Sequence, residues 1–262
     1  MMPASARPLL VIGATELELA PLLERMAGSA PVGGPWTPAR QGRLGGTAVV
    51  VQALGLGKVR TAAGLACAIA RHRPAAVLQV GIGGAYLGSF LSVGLAMLAD
   101  VDLELDLGVA TGEGWADPSL LAVPLMPLPA PAHGGGAPTG GREAATHPAL
   151  TTILAELTGL PRGRFATLDT VTADVDTGAA LQRRFDVAIE SMEGAAAAVV
   201  AARLGVPFAE LRAVSNVVGE RDRRRWDLRG AVRVAASTAA RALDDLADHP
   251  AWAAIARDTA ET

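Results

Sequence analysis

The sequence predicts an α/β fold, a three-layer sandwich in which a central mixed sheet is flanked by helices on both faces. Three observations carry this. Continuous apolar runs, such as Ala76 to Val80 and Phe208 to Val214, have the length of strands buried on both sides. Between such runs lie stretches with apolar residues at helical spacing, 58–72 foremost. Half of the 262 residues are hydrophobic and only 3% are aromatic, so Ala, Val and Leu must build the core, and small side chains let helices lie close to a sheet.

In order, Leu9 to Ile12 is the first strand, and acids follow it at Glu16 and Glu18. A strand at 49–53 follows the turn Gly45-Gly46, Gly55-Leu56-Gly57 breaks it, and the helix 58–72 stops at Pro74. Strands are expected at 76–80 and 95–101, with the run from Gly81 to Gly94 read as a glycine loop between them. The stretch 74–99 carries no charge, but its glycines and Gln79, Ser89 and Ser92 argue against a membrane span. Residues 112–141 are rich in Gly, Pro and Ala and read as a loop or partly ordered excursion. Further on come a strand at 165–171, a helix at 179–185, a short strand at 187–190, a helix at 192–204, a strand at 208–214 and a last helix at 228–247. The whole is expected to be one domain, 1–262, with the excursion near 112–146. Ligands of such sheets lie beyond the carboxyl ends of the strands, which selects the loops after Ile12, Val80, Val171, Ile189 and Val214.

The formal charge of -3 offers no basic field for a nucleic-acid backbone, so the expected partner is a small molecule. Cys67 is the only cysteine, which excludes a disulfide framework and a cysteine zinc site; its apolar surroundings predict a buried small side chain. His72, His133, His147 and His249 have no ligand spacing, so neither metal nor cofactor is expected. The N-terminal run is short and turns acidic, unlike a secretory signal, and the expected location is cytoplasmic.

Glu193, in Glu190-Ser191-Met192-Glu193-Gly194, opens a helix. By position alone it is a first-turn acid favoured by the helix dipole. Its functional reading is an acceptor for the two hydroxyls of a vicinal diol, with Met192 packed on the sugar. Asn216 ends a strand; it either closes a turn or gives and takes hydrogen bonds at the sheet edge. Glu18 reads equally as a helical surface acid.

Five motifs stand in order: Gly13-Ala14 with Glu16 and Glu18, Gly55-Leu56-Gly57-Lys58-Val59, Gly81-Ile82-Gly83-Gly84, Ser191-Met192-Glu193-Gly194, and Arg212-Ala213-Val214-Ser215-Asn216. Together they resemble the purine nucleoside phosphorylase and nucleosidase superfamily over nearly the whole chain. Within it the chain is most similar to the futalosine hydrolases, menaquinone-pathway relatives of the methylthioadenosine and adenosylhomocysteine nucleosidases. The resemblance implies a hydrolase that cleaves futalosine to hypoxanthine and dehypoxanthine futalosine, without a cofactor. It implies that Glu18 positions the attacking water, that Glu193 holds the ribose hydroxyls, and that Met192 lies against the ribose. Asn216 stands where adenine-specific relatives carry an aspartate, Val171 where they stack a phenylalanine, and Ile82 in place of a glycine-loop serine beside Gly83. Ser215 belongs to the same base-binding motif. An amide in place of an acid suits a 6-oxopurine, because it donates to O6 and accepts from a protonated N7.

The carboxylated tail of futalosine needs contacts of its own. Glu220-Arg221-Asp222-Arg223-Arg224-Arg225-Trp226 is either a self-neutralised charge run or the place where one arginine pairs with that carboxylate, with Trp226 beside it. Arg221, Arg223, Arg224 and Arg225 stay open at this point. A phosphorylase would need arginines around Gly81; none adjoins it in sequence, and Arg40 is the remaining candidate. A dinucleotide-binding oxidoreductase is disfavoured because Tyr86 stands where its third glycine belongs. A binding protein without catalysis fits if Glu18 is misplaced. The superfamily also implies a homodimer or larger homo-oligomer whose partner loop closes the site, with Trp115 and 120–131 suited to the contact.

Overall fold

The computed structural model describes residues 7–33, 38–111, 114–121 and 141–258. The first half of the chain forms β1 (Leu9–Gly13), α1 (Glu16–Arg25), β2 (Ala27–Val32), β3 (Ala39–Leu44), β4 (Thr47–Ala53), α2 (Lys58–His72), β5 (Ala76–Ala85) and β6 (Ala96–Glu104). A hairpin of β7 (Val109–Thr111) and β8 (Gly114–Ala116) follows, then β9 (Glu143–Ala145), α3 (Pro148–Thr158), β10 (Arg162–Thr167) and α4 (Val175–Phe185). The chain continues through β11 (Ile189–Ser191), α5 (Gly194–Arg203), β12 (Phe208–Val217), α6 (Leu228–Leu246) and α7 (Trp252–Asp258).

The main sheet runs β11-β10-β6-β12-β5-β1-β4-β3-β2, with β9 alongside β6. It is mixed: β1 pairs β4 and β5 in parallel, whereas β12 runs parallel to β5 and antiparallel to β6. Because successive strand residues point to opposite faces, Leu9 and Val11 enter the core under α1, α3, α6 and α7, while Leu10 and Ile12 enter the one under α2 and α5. This is the expected three-layer arrangement. The sheet is not flat throughout, however. β11 pairs β10 on one side and the end of β5 on the other, so β5, β12, β6, β10 and β11 close into a ring.

Several readings need correction. The Gly81 run is not a loop: β5 continues through Gly84 to Ala85, and no helix opens after it, which removes the dinucleotide-binding reading. Glycine is needed because neighbours press on the strand. A β-carbon at Gly83 would lie 2.7 Å from the Glu190 carbonyl oxygen, and one at Gly84 3.2 Å from the Asn216 amide nitrogen. Cys67 is exposed, because the buried stripe of α2 is Thr61, Gly64, Leu65, Ala68 and Ile69, and Cys67 points away from it. Residues 112–113 and 122–140 of the excursion lie outside the described residues. Its described part holds the hairpin, and Trp115 packs against its own chain's core cluster with Phe185. The sequence reading places nothing at β2, β3, α1, α3 or α7. Among the described residues no helix is long and apolar enough to cross a membrane.

Candidate active site

A cleft of about 300 Å3 opens where β1, β5 and β12 end, walled by the segments that follow β10 and β12 and by the turn from β11 into α5. Such a volume is at the lower end of small-molecule sites. All of the residues singled out above, Glu18, Ile82, Gly83, Val171, Met192, Glu193, Ser215, Asn216, Arg221 and Trp226, line it.

Glu193 is the N-cap residue of α5, yet its side chain makes no capping bond. It is buried and turned away from its own helix. Oε1 accepts from the Gly57 N–H at 3.1 Å, and Oε2 lies 3.2 Å from Arg212 Nη2. A merely helix-starting acid would have its carboxyl at the first-turn N–H groups, so the dipole reading does not describe this residue.

Arg212 is the functional side chain that sequence inspection passed over. It stands on β12 directly opposite Gly81 of β5, far away in sequence but one strand across in space. No arginine adjoins Gly81 in sequence, but Arg212, not Arg40, is the one that adjoins it in space. Arg40, the remaining candidate, is bound to Ser29 on the β2–β3 hairpin and does not line the cleft. Arg212 Nε donates to Glu210 at 2.8 Å and Nη1 to the Ile82 carbonyl at 3.1 Å. Burial works against its charge, but Glu210, Glu193 and Glu18 outweigh burial and hold the guanidinium protonated. A charged pair, Glu210 and Arg212, inside an otherwise apolar strand was the available signal.

Glu18 is buried rather than on the surface. It is the third residue of α1 in a capping box: Thr15 Oγ1 accepts from its N–H, and its Oε2 accepts from the Thr15 N–H at 2.9 Å. Its Oε1 accepts from the Ile82 N–H at 3.2 Å. A β-carbon on Gly81 would lie 2.6 Å from Arg212 Nη1 and 2.8 Å from Glu18 Oε1. The glycine thus leaves a small polar niche bounded by an acid and a guanidinium.

At the far end of the cleft, Asn216 Oδ1 accepts from Ser215 Oγ at 2.8 Å and Nδ2 donates to the Val217 carbonyl at 2.9 Å. One amide proton and one lone pair remain for a ligand. Ser215 Oγ also reaches the Gly83 carbonyl at 3.1 Å. Val171 is 47% exposed and forms an apolar wall. Beside it Thr172 is tied down by Glu190, which accepts from the Thr172 N–H, the Thr172 hydroxyl and the Tyr86 hydroxyl. Burial first, and the nearby Glu190 charge second, push the Tyr86 hydroxyl well above its ordinary value, so it stays a donor.

Of the four arginines left open, the structure brings only Arg221 to the cleft, over the Trp226 ring at 5.2 Å. Arg224 is spent on Asp222 and Arg225 on Glu220, and the Trp226 indole donates to the Glu220 carbonyl.

Residues 8–248 match the family model described as Phosphorylase superfamily. The chain belongs to the phosphorylase superfamily. It is 36% identical to a futalosine hydrolase of Thermus thermophilus over 89% of this chain and 94% of that protein. A 5'-methylthioadenosine/S-adenosylhomocysteine nucleosidase of Geobacillus thermodenitrificans is 32% identical over 80% of this chain and 84% of that one. The fold is shared with the futalosine hydrolase of Helicobacter pylori, at a TM-score of 0.76 and 20% identity, covering 92% of this chain and 98% of that one.

Proposed function

We propose that this chain is a purine N-ribosyl hydrolase acting on futalosine, releasing hypoxanthine and dehypoxanthine futalosine in menaquinone biosynthesis. The observation that carries the reading is the arrangement about Arg212: Glu18 and Glu193 line the same cleft on either side of a buried guanidinium that nearby acids already neutralise. Breaking the ribosyl C–N bond builds positive charge on the sugar and negative charge on the purine. Glu193 faces the sugar hydroxyls. Water in the Gly81 niche attacks C1′ and gives its proton to Glu18, while the electrons of the C1′–N9 bond leave with the base. Asn216 hydrogen-bonds O6 through its free N–H, and its carbonyl accepts from N7–H once the departing purine anion has taken a proton at N7 from water, while Glu18 returns its own proton to solvent. The tail carboxylate pairs with Arg221.

Phosphorolysis is disfavoured on new grounds. A phosphate beside Arg212 would meet Glu18, Glu193 and Glu210 as well, and their charges would repel it. The test is incubation with futalosine, methylthioadenosine and inosine, with and without phosphate, followed by identification of the free base. Hypoxanthine released from futalosine at a rate indifferent to phosphate is expected. A phosphate requirement, or faster release of adenine from methylthioadenosine, would overturn the proposal.

A further inference from the structure

We infer that Asp102 and Glu210 hold a single proton between them beneath the first turn of α5, and that this pair positions Arg212 for the ribose site. The inference rests on Glu193 as the sugar-holding acid, and not on which purine leaves.

Both carboxyl groups are fully buried. Asp102 Oδ1 accepts from Thr167 Oγ1 at 2.9 Å, and Glu210 Oε1 from Arg212 Nε at 2.8 Å. The other oxygen of each, Asp102 Oδ2 and Glu210 Oε2, has no donor among the described residues. Those two oxygens converge on one spot: a β-carbon on Gly194 would strike both, and the chain carries glycine there. Two ionised carboxylates facing each other at full burial repel, whereas one proton between them satisfies both oxygens.

The proton resides on Asp102. Burial, and then the charge of Glu210, push its carboxyl well above the usual range, outweighing Thr167 and Arg212, which act the other way. Glu210 faces the guanidinium through Oε1. The other surroundings are consistent with this division. Tyr86, beyond the end of β5, is neutral, and Ala144 is the neighbour of Asp102 on β9. α5 has no acid in its first turn, and its N-terminal dipole favours one negative charge beneath it. Glu193 lies on the far side of the guanidinium, with Oε2 3.2 Å from Arg212 Nη2. With the proton in place, Glu210 is pressed onto Nε, which aims Nη1 at the Ile82 carbonyl and sets Nη2 beside Glu193 Oε2 as an ion pair without hydrogen-bond geometry. Loss of the proton puts two like charges in one fully buried site, drives Glu210 off that line and releases Arg212.

The experiment compares wild type, Asp102→Asn and Glu210→Gln in two ways. The first readout is kcat and KM against pH for whichever nucleoside is cleaved. Wild type should lose kcat on the alkaline side. Asp102→Asn, which donates to Glu210 at every pH, should lack that limb. Glu210→Gln should lower kcat about 10- to 100-fold with a smaller change in KM, the size of one lost charge-assisted hydrogen bond. The second readout, the infrared carbonyl band of a protonated carboxylic acid at neutral pH, needs no substrate. It should be present in wild type and absent in Asp102→Asn. An unchanged alkaline limb in Asp102→Asn, or no protonated-acid band in wild type, would overturn the inference. If the band is present and the expected nucleosides are not cleaved, the proton assignment stands and the substrate reading fails.

Discussion

At the scale of single residues, the separation of roles within the cleft makes sharp expectations. Glu18→Gln removes the acceptor for the water proton while its remaining oxygen still serves the Thr15 cap, so kcat should fall about 100-fold or more with KM little changed. Measured retention of kcat would deny Glu18 the role. Asn216→Asp should lower activity on futalosine and raise it on 6-amino analogues, and an unchanged base preference would remove the amide argument. Arg221→Ala should raise KM for futalosine while leaving that for tail-less inosine alone; Arg224→Ala, already paired with Asp222, should do neither. Equal effects from the two variants would dissolve the tail assignment. Glu18, Glu193 and Asn216 stood out only through the five motifs taken together, because each alone reads as well as a surface acid, a helix-start acid or a turn residue. Arg212 was not legible, because its meaning depends on facing Gly81 across a strand pair, a relation no local pattern contains.

At the scale of elements, the strands and helices of the central layers were readable because each is a long apolar run or a long helical repeat. The edge hairpin β2–β3 was not: Ala-Gly-Ser-Ala-Pro-Val and Ala-Arg-Gln-Gly-Arg-Leu show no clean alternation, and most of their residues are partly or fully exposed. α1 was legible and missed, since Thr15-x-x-Glu18 is a capping-box pattern. The start of α2 makes the prediction for this scale. Lys58 Nζ bonds Glu104 and Asp106 near the end of β6; burial pulls its pKa down, but these two bonds outweigh it and raise it. Its backbone N–H also bonds Asp169, so the turn carrying Gly57 is held in place against Glu193. Lys58→Met should destabilise the fold by about 1–3 kcal/mol, between the values of exposed and buried pairs, and should raise KM for the nucleoside. A thermal melt and a KM indistinguishable from wild type would show that the turn does not need the tie.

For the whole molecule, three groups with raised pKa set one direction of pH response. Asp102 is stabilised in its protonated form, so stability is complete at low pH and lost as pH rises through its raised value. Lys58 and Tyr86 have raised values too and add to the same sign. Urea midpoints should therefore fall from neutral to alkaline pH, and a midpoint that rises over that range would contradict the assignment. Leu17 at 60%, Leu56 at 53% and Val171 at 47% exposure leave the cleft mouth apolar, and Val59 at 76% stands close by in sequence. A self-associating chain is the expectation from its superfamily. Light scattering should give an oligomer that Val59→Asp weakens, with KM rising as it dissociates; a monomeric wild type would remove this expectation.

The closed ring of strands has a consequence for how activity is acquired. Glu193 meets Gly57 across 136 residues of chain, Arg212 meets Ile82 across 130, and Ser215 meets Gly83 across 132. Each contact closes a long loop, and such closures are entropically late events in folding. On dilution from denaturant, helical signal should return first, and the power to cleave nucleoside should lag behind it, arriving only when β12 and β11 have both docked on β5.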